Sequence, residues 1–307
     1  MTIPRVSVIM ATYNRAGTLP RAIESVLRQD MPDWELIIVD DGSTDDSRAV
    51  IESYLAKDAR IRAAFHERNL HVHAAKNTGF DLMRGEWFTT LDSDDEMVPS
   101  ALGAMLNLVG AVDPSIDAIT CNCLDATTGE FSGHGLDHSQ WLDFETLVTR
   151  CSGEHWGLTR RSLLGNQRFN SRMRGGAEGI LWWKLSLTAK RYYLHQALRI
   201  YHTEGADRLC GKRRIVNLDD RLGYYIAMVQ ETEYLELLKQ YRPADYATVQ
   251  RNIALAMAMT GQRVEAQRAY SEAKPGLAGT QRLVVILALL GGRYAAKAVV
   301  TLALRVR

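Results

Sequence analysis

The chain has 307 residues, a formal net charge of +1 and 46% hydrophobic residues, enough for one large domain or two modest ones with a real core. The near-neutral balance excludes a global field that would draw in nucleic acid, and this apolar fraction excludes a disordered chain. Four cysteines, Cys121, Cys123, Cys151 and Cys210, are too few and too irregularly spaced for a disulfide framework.

The opening "MTIPRVSVIMATYNR" carries one early basic residue, a short apolar run and no small-residue cleavage site. It reads as a first strand rather than a signal peptide, and a cytosolic, reduced protein is expected. "VSVIMAT" (6–12) stops at the polar turn "YNRAGT", and "LPRAIESVLRQ" (19–29) has apolar residues at helical spacing. "WELIIVDDGSTDDS" (34–47) is a second apolar run that ends in a polar, glycine-containing turn, and the helix "SRAVIESYLAK" follows. A short strand near "IRAAFHE", a helix over about 73–84 and a third β run, "EWFTTLD", complete the pattern. Alternation at this spacing predicts βαβ units and an α/β fold with a largely parallel sheet. Ligands of such sheets bind beyond the carboxyl ends of the strands, where "TYN", "DDGS" and "DSDD" all fall.

From about residue 100 the rhythm loosens. "ALGAMLNLVGAV" reads as a helix and "IDAITCNCLDATTGEF" as a strand with a turn, while 131–160 mixes aromatics, glycines and histidines without a period and is expected to form a site wall or a loop. "EGILWWKLSLTAKR" (178–191) returns to helical spacing and "YYLHQALRIYH" reads as a last strand pair. Beyond a boundary near 205–212 the pattern is helical, which gives domains at 1–205 and 206–307; "NIALAMAMTGQRVEAQRAYSEA" (252–273) is spaced like a single helical hairpin. The segment 280–307 carries Arg282, Arg293, Lys297, Arg305 and Arg307 and no acidic residue. Its apolar run is too short to span a bilayer, and its cationic stripe fits an amphipathic helix on an anionic leaflet; a packed terminal helix or a homodimer contact is the other reading.

Three carboxylates lie within four positions in "LDSDDEMVP". Crowded like charges are costly unless a cation or a polar ligand sits between them. Magnesium and manganese take hard oxygen ligands, commonly one or two carboxylates plus substrate phosphates. Asp92 and Asp94 lie two apart, so in an extended segment they face one side, whereas Asp95 faces elsewhere or caps the next helix. At the other strand ends, Asp40 and Asp41 can accept from a uracil-like imide or from ribose hydroxyls, and Thr12, Tyr13 and Asn14 offer backbone groups, an aromatic face and an amide. "DDGST" has neither the GxGxxG spacing nor a P-loop lysine, so the phosphates need a metal.

"VSVIMATYNRAGTLPRAIESVLRQDMPDWELIIVDDGSTDDS" together with "NLHVHAAKNTGFDLMRGEWFTTLDSDDEMVP" resembles the amino-terminal signature of family 2 glycosyltransferases, with the GT-A fold. The resemblance is continuous over about the first hundred residues and scattered up to about 205. It implies a nucleotide-sugar donor, usually a UDP-sugar, Mn2+ or Mg2+, a glycan or lipid-linked acceptor, and a single displacement that inverts the anomeric centre. It also implies Thr12, Tyr13, Asn14 and Asp40 around the nucleoside, Asp92 near ribose and metal, and Asp94 as the principal metal ligand. Lys76, where many relatives have arginine, would approach the diphosphate or stabilise the acidic cluster. His202 would complete the metal or diphosphate contacts; Arg208, six residues on, is a further candidate for the donor from the flank of the site.

Inverting transfer needs a general base for the acceptor proton. The family usually supplies it from an "ED" pair before a tryptophan-containing helix. In "GGAEGILWWKL" the match sets Glu178 at the aspartate position and Ala177 at the glutamate position, a departure from the pattern. The other reading of Glu178 is a favourable acid in the first helical turn. His155 and Trp156 are candidates for the acceptor wall, unless Trp156 is a packed core residue. Two further readings stay open: a nucleotidyltransferase, and a nucleotide-sugar-binding protein without transfer activity. Peripheral attachment at the inner membrane face is the expected location if the tail binds lipid.

Overall fold

The computed structural model describes residues 3–173, 177–203, 218–291 and 297–298. The chain divides into two compact units, Met1–Arg213 and Arg214–Arg307. The boundary expected at residue 205 lies outside the described residues.

The first unit runs β1 (Val6–Thr12), α1 (Leu19–Leu27), β2 (Trp34–Asp40), α2 (Ser47–Leu55), β3 (Ile61–Phe65), α3 (Val72–Leu82), β4 (Trp87–Thr90), β5 (Glu96–Met97) and α4 (Ala101–Ala111). It continues through β6 (Ala118–Asp125), β7 (Gly133–His134), β8 (Gln140–Trp141), α5 (Phe144–Arg150), β9 (Ser152–Gly153), β10 (His155–Arg160), α6 (Arg161–Leu164), α7 (Glu178–Ser186) and β11 (Arg191–Tyr201). The main sheet has the order β3-β2-β1-β4-β10-β6-β11-β5, with β8 beside β11. Strands β3, β2, β1 and β4 are parallel, β10 is antiparallel to both β4 and β6, and β11 returns parallel to β6.

Every residue of β2 is buried, as expected for a strand covered on both faces by helices. The pleat sorts the core into two layers. Val8, Met10, Leu36 and Ile38 pack with α1, whose buried Leu19, Ala22, Ile23 and Val26 form one helical stripe. Ile9, Ile37 and Val39 face the other way, against Ala75 and Phe80 of α3 and Leu181 and Leu185 of α7.

Two expectations are corrected. The stretch 131–160 is not a loop or wall alone: it supplies the central strand β10. Its period is hidden because Gly157 interrupts a short run, and a Cβ there would lie 1.8 Å from the Ile119 carbonyl oxygen of the adjoining strand. "YYLHQALRIYH" is not a strand pair but one eleven-residue strand, β11, whose register against β6 shifts between Leu194 and Ala197 and again before Arg199.

The second unit contains α8 (Leu218–Met228), α9 (Thr232–Tyr241), α10 (Pro243–Thr260), α11 (Arg263–Ala273) and α12 (Gly279–Leu290). The expected hairpin is α10–α11, turned by Gly261 at φ 85°, a left-handed cap that glycine adopts without a Cβ penalty. No helix among the described residues is long and apolar enough to cross a membrane. Of the basic tail, Arg293, Arg305 and Arg307 lie outside the described residues.

Candidate active site

Register brings the carboxyl ends of the parallel strands together. Thr12 pairs with Asp40 across β1 and β2, and β4 leaves the sheet beside β1, with Leu91 N donating to Ile9 O at 2.9 Å. The side chains of Asp40 and Asn14 in the first two turns are held by uncharged donors. Asp40 Oδ1 accepts from Ser43 N at 3.1 Å and from the Ser43 hydroxyl, while Asn14 N donates to Ser43 Oγ at 2.9 Å and Asn14 Oδ1 accepts from Thr44 N at 2.8 Å. Asn14 sits at φ 51°, a region asparagine tolerates, and Gly42 at φ 74° approaches the Arg68 backbone so closely that a Cβ would be 2.6 Å from its carbonyl carbon. Asp41 is drawn into the scaffold, accepting from Leu70 N at 2.9 Å and bonding His66 Nδ1 at 2.7 Å. Tyr13 stands exposed beside them, and the hydroxyl of buried Thr12 has no hydrogen-bond partner among the described residues. Thr18 precedes α1 without capping it; its hydroxyl donates instead to Ser93 O at 3.1 Å, tying the first turn to the acidic loop.

The acidic loop is held by cations. Lys76, buried on α3, places Nζ 3.3 Å from Asp92 Oδ1 and 2.7 Å from Glu178 Oε1. Arg199, buried on β11, donates from Nη2 to Asp92 Oδ2 at 2.9 Å and from Nε to Asp95 Oδ2 at 2.8 Å. Asp92 therefore lies between two positive groups, and the Lys76 ammonium, with Arg199 adding to it against the cost of burial, holds its carboxyl well below the usual range. Burial alone would release the proton of Lys76, but Asp92 and Glu178 outweigh it and keep the ammonium charged. Asp95 does not cap α4, whose N-cap is Ser100; it is buried against Arg199 and accepts from His202 N at 2.9 Å. Arg21 donates to the Asp94 carbonyl and lies 3.6 Å from Glu96, which also bonds His202 Nε2 at 2.8 Å.

The metal trio expected from sequence does not assemble. Among the described residues no three His, Cys, Asp or Glu side chains gather to hold an ion. The oxygens of Asp92 are turned to Lys76 and Arg199, and His202 Nε2 is turned to Glu96. Two donors are left over: Asp94 Oδ2, which lies 4.0 Å from Arg15 Nε, and His202 Nδ1, buried without a partner among the described residues. The carboxylate oxygen suits Mn2+ or Mg2+ where substrate phosphates supply further ligands, and the imidazole is tolerated better by Mn2+ than by Mg2+.

Glu178 opens α7 behind Ala177, which makes no side-chain cap, so it is both a first-turn acid and a member of the charge cluster. Trp156 is corrected: it is buried in the core with Nε1 donated to Thr90 O at 2.8 Å and offers no face to an acceptor. His155 faces the opposite side of the sheet, edge-on to Tyr193 at 6.1 Å, and burial lowers its pKa. The two therefore do not share one face. Arg208 lies outside the described residues.

Sequence reasoning misses Arg199 and Glu154. A lone arginine inside an apolar strand is the available signal for Arg199. Glu154 precedes β10 and accepts no hydrogen bond among the described residues. Burial raises its pKa, Arg199 and Lys76 oppose that, and Asp92 and Glu178 reinforce it.

Comparison with known proteins gives a consistent picture. Residues 7–164 match the profile of a family described as Glycosyl transferase family 2. A "GalNAc(5)-diNAcBac-PP-undecaprenol beta-1,3-glucosyltransferase" of Campylobacter jejuni is 36% identical over 205 residues, covering 65% of this chain and 65% of that protein. "Putative glycosyltransferase EpsH" of Bacillus subtilis is 30% identical over 191 residues, covering 59% and 54%. The match thus spans less than two thirds of these relatives' length. Among solved structures, S. aureus TarS in complex with UDP-GlcNAc superposes with a TM-score of 0.64 at 14% identity, over 92% of this chain and 90% of that one. A mannosyltransferase from Pyrobaculum calidifontis in complex with GDP-Man and Mn2+ gives 0.53 at 17% identity, over 96% and 86%. At such identities the likeness is one of fold.

Proposed function

The chain belongs to glycosyl transferase family 2, and on that premise we propose that it moves a sugar from a UDP-sugar to a hydroxyl of a lipid-linked glycan, inverting the anomeric carbon. The observation that carries this reading is the Lys76 bridge, which joins Asp92 to the base candidate Glu178 through contacts of 3.3 and 2.7 Å. Donor-side and acceptor-side chemistry thereby meet at one ammonium. The activity that names the Campylobacter relative supports the lipid-linked acceptor, and the UDP-GlcNAc complex of the structural neighbour supports uridine. The family match leaves the nucleotidyltransferase reading without support.

In this mechanism the uncharged turns hold the nucleoside: Asp40 keeps Oδ2 for an imide or ribose donor, and Tyr13 supplies an aromatic face beside it. Asp94, with His202 Nδ1 completing the set, would hold Mn2+ or Mg2+, whose chemistry there is to neutralise the leaving diphosphate. Lys76 contributes a fixed positive charge to the same end. Glu178 accepts the proton of the acceptor hydroxyl as its oxygen attacks the anomeric carbon and the bond to the diphosphate breaks. Glutamate at this position needs no partner at Ala177 for that role, because Lys76 orients it.

The test is a hydrolysis and transfer screen of UDP- and GDP-sugars with manganese, using a polyprenyl-diphosphate-linked glycan as acceptor. Turnover of a UDP-sugar is expected. Binding of UDP with no turnover of any donor would instead favour a binding protein.

A further inference from the structure

We propose that one face of α12 is a lipid-binding surface that seats the protein on an anionic bilayer. In α12, Val285 and Ala288 are wholly buried within the helical unit. Leu283, Ile286, Leu287 and Leu290 are 56%, 37%, 48% and 74% exposed. Their spacing of three, four and seven residues lines them up on one side of the helix. Single exposed apolar side chains are ordinary, but four in a row, including three leucines, mark a surface that is covered in use.

Charge selects the cover. From residue 280 to 307 the chain has five basic residues and no acidic one, and two of the five are described: Arg282 in the first turns of α12 and the exposed Lys297 beyond it. An apolar helix face in a segment whose sequence has five basic residues and no acidic one fits the headgroup and acyl boundary of an anionic leaflet, where basic side chains meet lipid phosphates while leucines enter the hydrocarbon. A second copy of the chain fits less well. A twofold contact would lay this basic segment against itself, like charge on like, with no acidic side chain in the segment to answer it.

Such a surface suits the lipid-linked acceptor proposed above, but vesicle binding requires no turnover, so either reading can fail without the other. The experiment is co-sedimentation of the full chain with phosphatidylcholine vesicles, with and without phosphatidylserine, alongside hydrogen exchange and light scattering. The expected result is binding that rises about tenfold with phosphatidylserine and weakens in high salt. Residues 283–290 should gain exchange protection on the vesicles. The combined variant Leu283→Ser, Ile286→Ser, Leu287→Ser, Leu290→Ser should lose about tenfold in vesicle binding while UDP affinity and the melting temperature hold. Vesicle binding that is unchanged in this variant overturns the proposal. So does a parent dimer that the variant converts to monomer without any vesicle binding, which assigns the face to a second copy. A fall in melting temperature of the variant, with no vesicle binding by the parent, assigns it to internal packing and overturns the proposal equally.

Discussion

The two halves of the candidate site fix their polar side chains by different means. Around the ends of β1 and β2, Asp40, Asp41 and Asn14 are held by backbone N–H groups, a serine hydroxyl and an imidazole. After β4, Asp92, Asp95, Glu96 and Glu178 are held chiefly by lysine and arginine side chains, with His202 adding its backbone N–H to Asp95 and its imidazole to Glu96. Hydrogen-bonded turns are rigid and nearly indifferent to charge, which suits recognition of a base and a ribose. An ionic lattice can exchange its partners when a diphosphate or a cation arrives, because the incoming charges compete with the ones already present. Under the proposed function the difference would separate binding from chemistry, and substitutions on the two sides should have different signatures.

The largest effects belong to the ionic side. Replacing Glu178 with glutamine removes a proton acceptor while keeping shape, and transfer should fall by about 10³-fold, within the range for a general base. UDP affinity measured by calorimetry should stay within about twofold. Normal turnover by that variant would reject Glu178 as the base. Asp94→Ala should act in the opposite way: manganese should cease to strengthen UDP binding, and donor hydrolysis should be lost with it. A manganese effect that persists in Asp94→Ala would move the ion elsewhere.

Lys76 tests whether the two sides are coupled. Lys76→Met leaves Asp92 and Glu178 without their shared counter-ion; the cost should be about 1–3 kcal/mol, reduced from a fully buried pair because their side chains stay 46% and 39% exposed. Urea denaturation checks this, and Lys76→Arg should restore most of the stability and part of the activity. On the hydrogen-bonded side, Asp40→Asn should weaken UDP binding by about tenfold, the worth of one charge-assisted hydrogen bond, and leave the response to manganese unaltered. If Asp40→Asn also abolished the manganese response, the separation of the two halves would fail.

The legibility of these halves in sequence follows the same divide. Strands β1, β2 and β4 declare themselves because both faces are buried and each run ends at a polar cluster, so the alternation of elements alone sets "TYN", "DDGS" and "DSDD" at one sheet edge. The lattice is not legible in this way, because its partners are 102 and 107 residues apart: Lys76 from Glu178, and Asp92 from Arg199. Antiparallel β10 and the bulged β11 bring these groups back to the site, and neither carries a clean period. Sequence misplaces Trp156 for the same reason, since alternation along a strand with no visible period decides which face each side chain takes. For Asp95 the local rule for a helix cap competes with a distant guanidinium, and only tertiary structure shows which wins.

A carboxylate far from any ligand provides the control for this contrast. Glu35, near the amino end of β2, is buried and combines both kinds of partner: Ser7 Oγ at 2.7 Å, Arg84 N at 2.7 Å, Arg62 Nη1 at 2.9 Å and Arg84 Nε at 2.9 Å. Burial, the largest single influence, pushes its pKa up, but the hydrogen bonds together outweigh burial and leave it below the ordinary value. A pKa depressed by folding means that the native state binds protons less readily than the unfolded chain. Its contribution is therefore complete above the unfolded glutamate pKa, near about 4.3, and is lost as pH falls through the lower folded value. The difference in urea midpoint between the parent and Glu35→Gln should be full and level from neutral pH down to the unfolded glutamate pKa, and should narrow on acidification below that value. UDP affinity at neutral pH should be the same in both proteins. A gap that stayed constant down to acid pH would mean that Glu35 is held by geometry alone and that its charge contributes nothing, whereas a change in UDP affinity would mean that the amino and carboxyl ends of the sheet are not energetically separate.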